Sequence, residues 1–303
     1  MELLVNPASY SNALELINLG VHQIFVGDNQ FCVRNNCHIT LDQLKTLCSS
    51  KRNTKVIVLV NRFFFEQDLI DLDKHLIALS KIQVDGIIFG DFAIKQICHE
   101  RKINIPLIYN PETLICNYEQ FPFYIENGIQ EVSLARELNH HEIKDMCANK
   151  NQMKLQVQVA GYAYMMHSRW NLVSNFKQTQ NISNKLANTK LEIREVSRKE
   201  KAYIYEDKWG AHVFTSYSLC LLDYLSELCK FGVDTIRIDS FLHDDLWTTQ
   251  TTRVYLKALN LLDSNMDVKS LIKELPADKY SRGFYLMDIK DLIYLKQNGS
   301  VYE

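Results

Sequence analysis

The sequence predicts an α/β protein built as an eight-stranded parallel β/α barrel (TIM-like), with a small β-containing insertion between strands seven and eight. Three observations carry that expectation. Short β-rich runs alternate with stretches whose apolar residues recur at helical spacing through most of the 303 residues. Eight such runs occur, each leading to a helical segment, and parallel neighbours require crossovers of that kind. The main rival, an open doubly wound sheet, wants GxGxxG after its first strand, where this chain reads VNPASYSN.

The elements follow in order. ELLV at 2–5 leads to SNALELINLG, with Gly20 as the helix stop, and QIFVG at 23–27 precedes LDQLKTLCSS. KVIVLVN at 55–61 precedes QDLIDLDKHLIALSKI, and GIIFGD at 86–91 leads to AIKQICHE. PLIYNP at 106–111 precedes a helix near Tyr118, EVSLAR at 131–136 precedes HHEIKDMCANK, and KLQVQVAG at 154–161 runs into YAYMMHSRWNLVSN, read as its loop. TIRIDS at 235–240 is the eighth strand, followed by the helical TRVYLKALNLL. The alternation breaks at 176–201, a polar stretch with six Lys or Arg beyond residue 184 against three Glu. AYIYEDKWGAHVF then reads as two strands around a turn at EDKWG. One barrel domain over 1–303 is expected, with 176–218 as its basic insertion and hairpin. Residues 263–303 form an extension that packs back on the barrel, with a helix near DVKSLIKEL.

Composition narrows the function classes. With 47% hydrophobic and 23% charged residues the chain has ample material for one core. A net charge of −2 excludes a globally basic nucleic-acid binder, DNA included, but leaves room for a local basic face. No basic segment followed by an apolar core opens the sequence, and no apolar run approaches eighteen residues, so a cytoplasmic protein without membrane contact is expected. Eight cysteines without a CxxC pair read as reduced thiols.

In a β/α barrel, functional residues sit at the C-terminal strand ends, where the βα loops converge. Those ends carry Asn6, Arg34 beyond Gly27, Asn61, Asp91, Asn110 with Glu112, Arg136 with Glu137, Gln158, and Arg237 with Asp239. Arg34, Arg136 and Arg237 suit a small carboxylate or phosphate compound gripped by forked hydrogen bonds. The structural alternative is that Arg136 pairs Asp91 or Asp239 and merely closes the mouth. His167, crowded with Arg169 after the seventh strand, is a further binding candidate. Lys185, Lys190, Arg194, Arg198, Lys199 and Lys201, followed by Tyr203, Tyr205 and Trp209, suit RNA through phosphate contact and base stacking; the alternative is a solvated hairpin whose aromatics pack inward. Cys32, Cys37 and His38 depart from zinc spacing, and no metal site is expected. Ser168 beside His167 is not a catalytic dyad, because chain neighbours rarely face each other.

Several stretches together resemble the collagenase-like peptidase family, U32. They are MELLVNPASY, IFVGDNQFCVR, IIFGD, LAREL, the strand ending at Gly161 with Ser174 and Asn175, LCLLDYL, TIRIDS and SRGF, in that order over nearly the whole chain. The resemblance is closest to short Gram-positive members similar to tRNA hydroxylation proteins encoded as adjacent pairs. It implies a β/α barrel and prephenate-dependent hydroxylation, giving 5-hydroxyuridine at the tRNA wobble position, with a paralogous subunit and tRNA as partners. Family members carry a strand Glu, a His before the Gly and cysteines after it; here those positions are Gln156, Ala160, Tyr164 and Asn171. Only Cys220 matches a cluster cysteine, so no iron-sulfur cluster is expected in this chain. A collagenase-like peptidase and a catalytically silent scaffold for an active paralogue are the other readings.

Overall fold

The computed structural model of the chain describes residues 1–182, 190–194, 201–263 and 268–287. Eight strands close a parallel barrel. They are β1 (Glu2–Val5), β2 (Gln23–Gly27), β3 (Lys55–Val60), β4 (Gly86–Phe89), β5 (Leu107–Tyr109), β6 (Glu131–Ser133), the first part of β7 (Lys154–Ser168), and, after three strands of an extension, β11 (Thr235–Ile238). Each pairs with the next, and β11 closes the ring between β7 and β1. The crossovers are α1 (Tyr10–Leu19), α2 (Leu41–Ser50), α3 (Leu69–Ile82), α4 (Phe92–Glu100), α5 (Phe121–Glu126) and α6 (His140–Ala148). The helix expected near Tyr118 is a 3-10 turn at Tyr118–Gln120 running into α5.

Strand alternation divides the core into two layers. In β3, Val56, Val58 and Val60 face the helices, while Ile57 and Leu59 point inward. Inward side chains from neighbouring strands, Leu4, Phe25, Ile57, Leu59, Ile88 and Ile108, fill the barrel with apolar packing. Helix ends are fixed locally. Thr40 and Gln43 cap α2 reciprocally, Asn139 and Glu142 do the same for α6, and Gly20 ends α1 at φ 78°.

The seventh strand departs from the sequence expectation. YAYMMHS is not a loop but a continuation of β7, which leaves the barrel at Gly161 and pairs antiparallel with β10 (Gly210–Cys220), from Ala160 opposite Cys220 to Ser168 opposite Ala211. Gly161 is required at that exit. Its φ is 98°, and a Cβ there would lie 1.8 Å from the Asp239 carbonyl oxygen. The extension begins there, earlier than the polar composition at 176 marks. It is completed by α7 (Leu172–Thr179), β8 (Leu191–Arg194) and β9 (Lys201–Asp207), whose turn into β10 is the expected hairpin. Buried Glu206 of β9 accepts from the Val173 and Ser174 amides and the Ser174 hydroxyl, fastening the first turn of α7.

Helices α8 (Leu225–Phe231) and α9 (Asp245–Asp263) complete the outer ring. The segment DVKSLIKEL contains a 3-10 helix, Lys269–Glu274, and β12 (Tyr280–Ser281) adds to β10. Tyr285 is buried, with its hydroxyl donating to Glu227 at 2.6 Å. Among the described residues no helix is long and apolar enough to cross a membrane.

Candidate functional site

The C-terminal end of the barrel gathers charge that the apolar layer beneath it cannot neutralise. Arg34 arrives from the loop after β2 and Arg136 from just beyond β6, while Arg237 sits in β11 itself; all three guanidinium groups are buried. Two carboxylates answer them. Glu112, in the loop after β5, receives Arg34 Nη2 at 3.2 Å and also Arg136 Nη2. Asp239 lies 3.9 Å from Arg237 Nη2, an ion pair without a hydrogen bond. The pairing of Arg136 with Asp91 or Asp239 weighed from the sequence is therefore not the one found. Burial pulls all three arginines below their ordinary value, Arg136 to about 9 with Arg237 the next cause, and each remains a cation near neutral pH. Asp207 and Glu137 also act on Arg34 and Arg136 through space, so carboxylates offset the cations, but only Glu112 is hydrogen-bonded to them.

Tyr164, on the outgoing part of β7, closes this group from above. Its ring lies 4.1 Å from the Arg34 guanidinium and 5.1 Å from that of Arg136, and its carbonyl oxygen accepts from Arg136 Nη1. Beneath lies a cavity of about 20 Å³, room for about one water molecule, lined by Arg34, Asn61, Asn110, Glu112, Arg237 and Asp239 together with aromatic rings that include Tyr162 and Phe214. Arg34 Nε, Arg237 Nε and Asp239 Oδ1 are buried without a hydrogen-bond partner. Buried polar atoms of that kind are costly and concentrate at sites of function.

Six of the strand-end residues proposed from the sequence thus line one cavity, and Arg136 adjoins it through Glu112. Asn61 also positions its neighbour, accepting from the Val33 amide at 2.9 Å and so holding the loop of Arg34. Asp91 instead caps α4, accepting from the Ala93 amide at 2.9 Å. Gln158 donates to the carbonyls of Ala160 and Tyr162 at the strand exit. His167 stacks on His212 at 4.5 Å and beside Phe63 at 5.1 Å, outside the cavity. Burial, then His212, pushes it down to about 4, so it is neutral near pH 7 and offers no charge to an anion. Its partner His212 lies 3.5 Å from Arg34 Nη1, which connects the rim to the mouth.

The basic insertion is less free than its composition suggests. Lys190 Nζ lies over the rings of Tyr162 and Tyr203 and donates to the Tyr162 hydroxyl at 3.1 Å. Lys201 pairs with Glu192, Arg194 is exposed on β8, and Lys185, Arg198 and Lys199 lie outside the described residues. Trp209 is half-buried, with its ring against Arg62 and Nε1 donating to the Asn29 carbonyl at 2.9 Å. The exposed aromatics stand elsewhere, on a rim not singled out from the sequence. Phe63 is 55% and Trp170 72% exposed, and Arg169 lies 3.8 Å over Phe65. Only solvent exposure distinguishes these rings from core ones, and exposure is a property of the fold.

Residues 8–292 match Peptidase family U32. The chain belongs to that family. It is 28% identical to the tRNA hydroxylation protein P2 of Bacillus subtilis, over 90% of each chain, and 21% identical to the tRNA hydroxylation protein P1 of the same organism, over 85% of this chain and 63% of that one. An uncharacterized protease of Methanocaldococcus jannaschii is 22% identical over 99% of this chain and 77% of its own.

Two expectations attached to U32 proteins meet the geometry here. A cluster of iron and sulfide generally needs four thiolates, and the residues do not fit one. Tyr164 and Asn171 bring no sulfur, and Cys220 is buried beside Tyr255, its thiol pushed up by burial. Among the described residues no three His, Cys, Asp or Glu side chains are grouped to hold a metal. A peptidase needs an activated nucleophile. A Ser–His–Asp group does occur, but Asp278 Oδ2 contacts the Ser218 hydroxyl at 2.5 Å and lies 3.8 Å from the same His243 Nε2 that meets Ser218 at 3.0 Å. In a working triad the acid holds the opposite ring nitrogen. Here the group ties the segment before β12 to β10.

Proposed function

We propose that this chain is one subunit of a tRNA hydroxylation system that forms 5-hydroxyuridine, acting in the cytoplasm beside a paralogous subunit and holding a small dicarboxylate such as prephenate at its mouth. The observation that carries the reading is the pairing of near full-length similarity to the tRNA hydroxylation protein P2 with a mouth where three buried arginines converge from different loops and strands. The forked donors of Arg34 and Arg136 match a carboxylate, and Arg237 extends the positive field inward. RNA lies across the exposed rim, with bases stacked on Phe63 and Trp170 and phosphates met by Arg169, Arg194 and the insertion's lysines. In this reading any iron-sulfur group of the system belongs to the partner subunit.

Gln156 favours a division of labour. Its amide donates to Glu131 at 3.2 Å and accepts from Arg237 at 3.2 Å, so it is a fixed link below the mouth that cannot serve as a general base. The scaffold reading, in which this chain positions an active paralogue, rests on that residue. Deleting the gene and measuring wobble 5-hydroxyuridine by nucleoside mass spectrometry tests the function: the modification falls, and unchanged levels in a strain without a compensating paralogue overturn the proposal. Hydroxylation of tRNA by the chain purified alone overturns the scaffold reading.

A further inference from the structure

Glu112 fills the place at the mouth that suits an incoming carboxylate. Its two oxygens are taken one each by Arg34 and Arg136, buried cations from different loops. The local chain does not favour the arrangement. Glu112 has φ 75° and Arg34 φ 56°, left-handed backbone that side chains with a Cβ adopt at a cost. The Glu112 turn is held by its amide donating to Asn110 Oδ1 at 3.1 Å, and Arg34 by the Asn61 contact to the preceding amide. Two strained turns therefore converge on one ion pair. Below it, a cavity of about 20 Å³ admits no metabolite, although Arg237 Nε and Asp239 Oδ1 lie buried without partners. Any ligand of the mouth needs a group lining this cavity to move, and Glu112 is one of them. The segment bearing Glu112 is a short arm between two fixed points, buried Asn110 and buried Ile115, and exposed Leu114 lies between them.

We propose that Glu112 is a displaceable internal carboxylate: a ligand carboxylate takes its place between Arg34 and Arg136, and the arm 111–114 swings off the cavity. The inference rests on the small-anion reading of the mouth given above. Its consequence is selectivity. A ligand is admitted only when its carboxylate competes with one already seated, so weak monoanions leave the arm closed, and a dicarboxylate that also reaches Arg237 opens it.

The test is calorimetric titration of the full chain and of Glu112→Gln with prephenate, and with malonate as a second dicarboxylate. Glu112→Gln keeps the side-chain shape but removes the competing charge, and it binds a dicarboxylate about tenfold more tightly than the unaltered chain. Amide hydrogen exchange at Thr113 and Leu114 rises when ligand binds the unaltered chain, and it is already raised in the variant. Glu112→Ala shows the same gain in affinity, with a circular-dichroism melt as the check on folding. Equal or weaker binding by both folded variants, where the unaltered chain binds, overturns the displacement proposal alone. Absence of binding by all three forms overturns the small-anion reading and this inference with it.

Discussion

The two halves of β7 are one strand in two environments. From Leu155 to Val159 the odd positions pack on the helices, Gln156 and Gln158 point inward, and neighbours on both sides are parallel. From Tyr162 to Ser168 the same strand has an antiparallel partner, covers the barrel mouth on one side and exposes Met165 and Met166 to solvent. The difference teaches that a strand's identity does not end where its barrel does. The mouth lies at the seam, and Tyr164 closes it because β7 continues past Gly161.

The largest way to break the comparison is at the seam itself. Gly161→Ala places a Cβ against the Asp239 carbonyl at a left-handed φ, and a loss of about 3 kcal/mol or more is expected in denaturant unfolding. Below that, Glu206→Ala leaves the α7 amides without their acceptor; about 1–3 kcal/mol of local stability is lost, read as faster hydrogen exchange in the extension while barrel amides keep their protection.

Acid sharpens the contrast further, since each region buries a neutral histidine. Burial pushes His75, in the barrel wall, down to about 4 and His243, at the foot of the extension, down to about 3. Each takes up its proton in the unfolded chain near 6.5 but in the folded one only at these lower values. Stability from both is thus full above about 6.5 and falls as pH drops toward 4, by up to about 1.4 kcal/mol per pH unit for each. His75→Phe and His243→Phe each flatten the acid limb of a melting-temperature profile; a limb unchanged in both variants contradicts the assignment. The smallest effect is at the outer edge, where Glu192→Gln breaks a half-exposed pair with Lys201 and changes stability by less than about 0.5 kcal/mol.

Much of this architecture is legible in the residues. Eight β-rich runs with helical partners gave the barrel, and strand ends gave Arg34, Arg237 and Glu112, because period and strand order are local properties. The course of YAYMMHS was not legible. Its aromatic and methionine side chains suit a loop or a strand equally, and the pairing that decides, with β10, lies about fifty residues away. Asp91 misled for a related reason: a strand-end carboxylate and a helix cap are the same residue in sequence and differ only in where the next amide points.

The sequence by itself determined the layered barrel and the ring of polar residues at its C-terminal end, since alternating apolar runs and the strand ends that follow them are written in the chain. Only the tertiary structure decided who pairs with whom: that Glu112 rather than Asp91 or Asp239 bridges Arg34 and Arg136, and that Tyr164 covers them. Charge partners are chosen by distance and burial across loops 24 to 78 residues apart, and no local pattern encodes that distance.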